Sequence, residues 1–230
     1  MFLSNALRIG NRAKNVFSLN SIASLKAWYK YRTNIDVTSQ VDTWISSATF
    51  GDVDDTKLEP PSGKTYYDTS TGSLLFRDTD DSILQTSNLE LNLGQFTIFA
   101  VVDVVESGAA NEMLIGRLGN DELRLYRGSF ADSIRLRADG VNYDFSLTDD
   151  LPTGVFLLTL TRASNGLVEI RVNKTLSASG ATDIAKLFDF TRVGNGASDL
   201  NIYEIAIFDT KINADDITAI ENDMTNRIGI

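Results

Sequence analysis

The stretch FRDTDDSIL, Phe76 to Leu84, places three aspartates in four positions, Asp78–Thr79–Asp80–Asp81, between two apolar runs. A second acidic string, DVDD, occupies Asp52 to Asp55. Carboxylates crowded in this way can hold calcium through hard oxygen ligands, or supply an acid and a base for proton transfer. They can also do no chemistry at all, when Asp side chains bond their own backbone and set a turn. Neither string has the spaced ligands and closing glutamate of an EF-hand loop. Turn-forming aspartate is the commoner arrangement, so Asp78, Asp80 and Asp81 are read as a turn between two strands. Calcium at these three residues is the alternative; no other cofactor is expected.

The rest of the chain narrows the chemistry further. There is no cysteine and no histidine, which removes thiol catalysis, zinc–thiolate sites, disulfides and the usual general base. A serine nucleophile would lack its commonest partner. The glycine-rich pieces GRLGND and VGNGASD have no phosphate-binding pattern and read as hairpin turns. Catalysis is therefore not expected. Sugar recognition needs an exposed aromatic beside amide or carboxylate groups. Tyr66, Tyr67, Tyr126, Tyr143 and Phe130 are the candidates, whereas Trp28, Trp44, Phe96 and Phe99 are assigned to the core.

These residues must be held by strands. Short β-rich runs separated by turn residues begin at residue 73 and recur at intervals that suggest a sandwich or jelly roll. QFTIFAVVDVV is apolar on both alternating faces, as a covered central strand should be. EMLIGRL, ELRLYRG, SIRLRAD and VNYDFSL alternate, with Leu123, Leu125, Ile134 and Leu136 inward and arginines outward. SIASLKAWYK, carrying Ile22, Leu25 and Trp28–Tyr29, reads as a short helix or turn. The clear helix is terminal: Asn213 as N-cap, Asp215 and Asp216 in the first turn, a stripe of Ile217, Ile220, Met224 and Ile228, and Gly229 as the stop. Ile212 before the cap staples onto Ile217. No run approaches the ~20 apolar residues of a membrane span.

Charge is uneven. Residues 1–35 carry six cations and no acid, so an overall charge of −10 leaves −16 on the remainder. A basic arm before an acidic body suits docking onto an acidic surface, and an acidic body argues against general nucleic-acid binding. The expected anchoring residues in an arm at 1–20 are Phe2, Leu3, Arg8, Arg12, Lys14 and Phe17.

A tryptophan near the start, a second further on, then LLFRDTDDSIL, FTIFAVVDV, LLTLTR, VEIRVN, RVGNG and the terminal IYEIAIFDTKINADDITAIENDMTNRIGI make a recognisable order. It resembles the concanavalin A-like lectin/glucanase superfamily, specifically the laminin-G-like jelly rolls of bacteriophage virion proteins, over about residues 22–230. Phe76, Asp80 and Asp81 match the family's phrase, while Arg77–Asp78 replaces its usual turn. Asn173–Lys174 stands where the family often has Asn-Gly. The Glu-x-Asp-x-x-Glu strand of the family's glucanases is absent; the nearest string, Glu221 to Asn226, lies on the terminal helix and lacks the last acid.

The resemblance implies an all-β, two-sheet antiparallel jelly-roll sandwich at 21–230 with a C-terminal α-helix; the N-terminal arm at 1–20 lies outside it. The resemblance further implies a non-enzymatic bacteriophage virion protein, a capsid decoration or auxiliary head protein held to other virion proteins by its arm, monomeric or homo-oligomeric. The alternative is a carbohydrate-binding adhesin domain of a tail fibre or spike that recognises host glycan.

Overall fold

The computed structural model describes residues 18–48, 57–61, 63–77, 80, 83–86, 93–105, 110–117, 119–127, 132–194 and 199–230. Among the described residues, seventeen strands are followed by one α-helix. They are β1 Leu25–Tyr29, β2 Ile35–Val37, β3 Val41–Ile45, β4 Lys57–Leu58, β5 Tyr66–Asp68, β6 Ser73–Phe76, β7 Leu84–Gln85, β8 Phe96–Val104 and β9 Ala110–Arg117. Then come β10 Asp121–Arg127, β11 Ser133–Ala138, β12 Val141–Ser146, β13 Phe156–Arg162, β14 Leu167–Val172, β15 Thr175–Ala181, β16 Arg192–Val193, β17 Leu200–Phe208 and helix α1 Ala214–Ile228.

Two antiparallel sheets form the sandwich. One runs β15-β14-β13-β8-β17-β6-β5, with β1 also paired to β17; the other runs β12-β11-β10-β9-β16-β7. A small β2-β3-β4 sheet adds Val41, Trp44 and Leu58 to the core. The all-β expectation holds, and β8 is the covered central strand its apolar run requires, flanked by β13 and β17. The segment around Trp28 differs from expectation. Only Leu19–Ser21 makes a helical turn, of the 3-10 type, and Leu25–Tyr29 is strand, with Ala27 and Tyr29 in one apolar layer and Leu25 and Trp28 in another.

Those layers follow from strict alternation along the central strands. Ile98, Ala100 and Val102 of β8 point between the sheets, toward Leu123, Leu125, Ile134 and Leu136. Phe99 and Val101 point the other way, into a second cluster with Leu19, Leu25, Trp28, Leu157, Ile217, Ile220 and Met224. At roughly 1.5–3 kcal/mol per buried large apolar side chain, that second layer is what docks helix α1 and the N-terminal segment onto the eight-stranded sheet. The helix ends as its sequence dictates: Asn213 Oδ1 accepts the Asp216 N–H at 2.8 Å, and Gly229 takes φ 87°. One outer sheet face is thus spent on the helix. The outer face of the six-stranded sheet is left for polar side chains.

Candidate functional site

Register across the six-stranded sheet aligns these outward residues into rows. The longest pairs Gln85 with Arg192, Arg192 with Gly116, Gly116 with Glu122, Glu122 with Arg137 and Arg137 with Asn142. At ~4.8 Å between strands, these six positions span about 24 Å. A second row runs Arg124–Arg135–Asp144, and a third runs Tyr126–Ser133–Ser146. Within these three rows four arginines stand with two carboxylates, and Glu59 faces Gln85 at the end of the longest, on a chain of net charge −10.

Glu122 organises the centre. Its carboxylate accepts two hydrogen bonds from Arg124, at 2.7 and 3.1 Å, and one from the Gly119 N–H at 3.3 Å, with Arg137 Nη1 at 3.9 Å. Burial works against its charge, but the Arg124 and Gly119 hydrogen bonds and the two guanidinium charges outweigh it and hold the carboxyl below its usual range. Arg135 forks onto Asp144 at 2.6 and 3.0 Å and lies 4.9 Å above the Tyr126 ring. That hydrogen bond to Asp144 is the main reason its pKa is raised. Guanidinium planes fixed in this way present their remaining N–H groups in set directions.

Gly116 interrupts the longest row. Its φ is +147°, and a Cβ there would run into the carbonyl of Asp121 and sit 2.9 Å from Glu122 Cα. Only glycine fits, so the row carries a step with no side chain between Arg192 and Glu122. Beyond Arg192, Gln85 borders a cleft of about 210 Å³ lined by Glu59, Pro60, Pro61, Gln85 and Thr86.

A larger cleft of about 380 Å³ lies across the molecule, lined by Ser18, Asn20, Trp28, Lys30, Thr33, Ser47, Asp223 and Arg227. Its tryptophan is committed elsewhere. Trp28 is 5% exposed, donates Nε1–H to Glu204, and has Lys30 and Arg227 over its ring at 4.8 and 5.5 Å. It offers no free face for stacking, so the sheet face is the better candidate.

The candidates named from sequence are spread over the molecule. Tyr126 lies on the sheet face. Tyr143 points the other way, packed against the core, and its hydroxyl accepts the Asp183 N–H at 3.1 Å. Tyr66 and Tyr67 sit on β5 at the edge of the eight-stranded sheet. Phe130, Asp78, Asp81, the Asp52–Asp55 string and the arm residues Phe2, Leu3, Arg8, Arg12, Lys14 and Phe17 lie outside the described residues. Asp80 is described, and its backbone closes a turn: its N–H donates to Arg77 O at 3.2 Å and its carbonyl accepts Lys64 N–H at 2.9 Å. Among the described residues no group of three or more acidic, histidine or cysteine side chains is placed to hold a metal. None of their helices is long and apolar enough to cross a membrane. Sequence reasoning did not single out Arg192 or Gly116. Arg192 belongs to a two-residue strand, and the need for Gly116 is a tertiary contact, so neither leaves a periodic signal.

No family model and no curated protein sequence matches the chain. Solved structures do. The binding domain of botulinum neurotoxin DC in complex with rat synaptotagmin II superposes with a TM-score of 0.63 at 14% identity, covering 90% of this chain and 52% of that one. The same domain in complex with SialylT gives 0.62 at 14%, with the same coverage. A botulinum neurotoxin type C structure, from a toxin whose cell entry depends on interaction with two ganglioside molecules, gives 0.61 at 16%, covering 89% and 52%. The chain spans about half the length of these neighbours. At such identities the likeness is one of fold alone: a two-sheet antiparallel β sandwich shared with these binding domains. These neighbours lend the bacteriophage part of the expected resemblance no support.

Proposed function

We propose that the chain is a non-catalytic glycan-binding domain that engages its ligand through the outer face of the six-stranded sheet. The observation that carries this reading is the ordered polar face itself, with arginines, Glu122, Asn142 and Tyr126 in register on one sheet. Hydroxyl-rich ligands are recognised by such convergent donors and acceptors beside an aromatic ring. Both carboxylates of the face are tied to arginines, and Glu122 is held below its usual pKa. A glycosidase acid needs the opposite shift, so the face suits binding rather than bond cleavage. The receptor and ganglioside binding of the structural neighbours supports the same direction. This is the adhesin alternative of the sequence reading; the capsid-decoration reading draws no support from the face or the neighbours.

A glycan array probed with the full chain tests it. Saturable binding to one glycan class is expected, with loss of about tenfold or more in affinity for Tyr126→Ala combined with Arg137→Ala. Lys30→Ala, beside Trp28, should leave binding unchanged. Retained affinity in the sheet-face variant would refute the assignment of the site.

A further inference from the structure

We infer that a cleft between the start of helix α1 and the outer face of β13–β15 binds a small uncharged amphipathic molecule, a hydroxyl carried on a short apolar body. The site belongs to the eight-stranded sheet and is independent of the glycan-binding reading.

The strands supply its floor. Leu158, Leu160, Val168 and Ile170 point between the sheets, so alternation turns Thr159, Thr161, Glu169 and Arg171 to the helix side. The cleft has a volume of about 250 Å³ and is lined there by Thr161, Glu169 and Arg171. Ile212, Ala214 and Ile217, from the helix and its lead-in, and Leu176 of β15 complete it. Pockets for drug-sized ligands measure ~300–1,000 Å³, so this one takes a smaller molecule.

Thr161 points to the polar group of that molecule. The threonines around it are satisfied. Thr97, its partner across the β8–β13 pairing, accepts the Ile212 N–H at 3.1 Å and donates to the Thr210 carbonyl at 2.8 Å. Thr159 donates to Glu221 at 2.9 Å. Thr161 is 1% exposed, and its Oγ1 has no hydrogen-bond partner among the described residues. A buried hydroxyl left in this state is costly. It can both donate and accept, and a ligand hydroxyl, able to do the same, completes it.

The charges of the lining exclude an ion. Lys211 Nζ donates to Glu169, and Arg171 donates to Glu221 at 2.9 and 3.2 Å, so each cation already has its carboxylate. A charged ligand would lose its hydration without gaining a counter-ion, or would have to break one of these pairs. An uncharged ligand does neither. Its apolar body lies against Ile212 and Ile217 and covers Leu176, which is 52% exposed.

The test is a titration of the isotopically labelled full chain with hexan-1-ol, followed by NMR, beside hexanoate and hexylammonium as charged probes of the same length. Hexan-1-ol should bind with a Kd of roughly 1–10 mM, shifting the amides of Thr161, Glu169, Leu176 and Ile217. Each ion should bind at least about fivefold more weakly. Thr161→Val keeps the shape and removes the hydroxyl, and should weaken hexan-1-ol about fivefold. Thr161→Ser should retain most of the affinity, and Thr218→Trp, on the exposed edge of the cleft, should abolish binding. Unchanged affinity in Thr161→Val overturns the role of the hydroxyl. Hexanoate or hexylammonium binding as tightly as hexan-1-ol overturns the uncharged class. Shifts centred elsewhere, or none at all, overturn the site.

Discussion

Trp28 Nε1–H donates to Glu204 Oε1 at 2.6 Å, across 176 residues of sequence. The same carboxylate oxygen receives Arg227 Nη1 from helix α1 at 2.5 Å. One buried oxygen thus ties the first strand, the central strand β17 and the terminal helix together. The energetic weight of such a pin lies in what its loss leaves behind, since an unpaired buried donor costs more than the bond contributes. Glu204→Ala is expected to destabilise the fold by about 3 kcal/mol. With an m-value of roughly 3 kcal/mol/M for a domain of this size, the urea midpoint should fall by about 1 M. A drop of under a third of that would show that the pin is dispensable.

The same residue gives a pH signature. Burial raises the Glu204 pKa, outweighing the opposing charge and hydrogen bond of Arg227 and the Trp28 N–H. With the folded pKa above the unfolded one, the native state holds the proton more tightly. Glu204 therefore contributes most stability below the ordinary glutamate range, and that contribution is lost as pH rises through the folded value. Glu204→Gln, neutral at every pH, should flatten this part of the stability profile. Parallel wild-type and variant curves between pH 4 and pH 8 would contradict the shift.

Helix α1 has a second polar anchor. Glu221, 1% exposed, accepts from Thr159 Oγ1 at 2.9 Å and from Arg171 Nε and Nη2 at 2.9 and 3.2 Å. Glu221→Ala leaves the half-buried Arg171 guanidinium without its partner, at an expected cost of about 3 kcal/mol. Glu221→Gln, which keeps an acceptor for both donors, should lose less. Chemical denaturation of the two variants separates them, and equal losses would mean that shape, rather than charge, holds the helix.

Much of this architecture was legible in the residues. The alternation of ELRLYRG and SIRLRAD put Leu123, Leu125, Ile134 and Leu136 in the core and the arginines on the outer face, as period two requires. Asn213 and Gly229 announced both ends of the helix. Pairings between distant segments left no trace. Glu204 sits in a predominantly apolar run, LNIYEIAIF, and its partners lie 176 residues before it and 23 after. The short strand β1 looked helical because LKAWY has no clean alternation: Ala27 and Tyr29 enter the inter-sheet core while Leu25 and Trp28 serve the helix-side layer, with a register shift between Leu25 and Ala27. The sheet face was half visible. Its arginines and Tyr126 follow from alternation, whereas the Arg192–Gly116–Glu122 alignment exists only once β16 is laid beside β9.

The turn at Asn173–Lys174 carries the last prediction. It joins β14 to β15 in two residues, and both have positive φ, 46° and 72°. That is the geometry for which Asn-Gly is the preferred pair, because the twist of the strands demands left-handed backbone at both positions. Asn173 accepts it and uses its Oδ1 to take the Leu157 N–H at 3.0 Å. Lys174 has a Cβ in the left-handed region, a strain of about 1 kcal/mol, against which stands one exposed hydrogen bond from its Nζ to Asn222 Oδ1 at 3.0 Å. Exposed contacts of this kind contribute a few tenths of a kcal/mol, and glycine's extra freedom in the unfolded chain takes back part of the relief. The strain term is still the largest of the three. Lys174→Gly should therefore stabilise the protein by about 0.5 kcal/mol, a rise of roughly 1–2 °C in thermal midpoint for a chain of this length. A fall in midpoint would show that the lysine's tie to helix α1 outweighs the strain of its backbone.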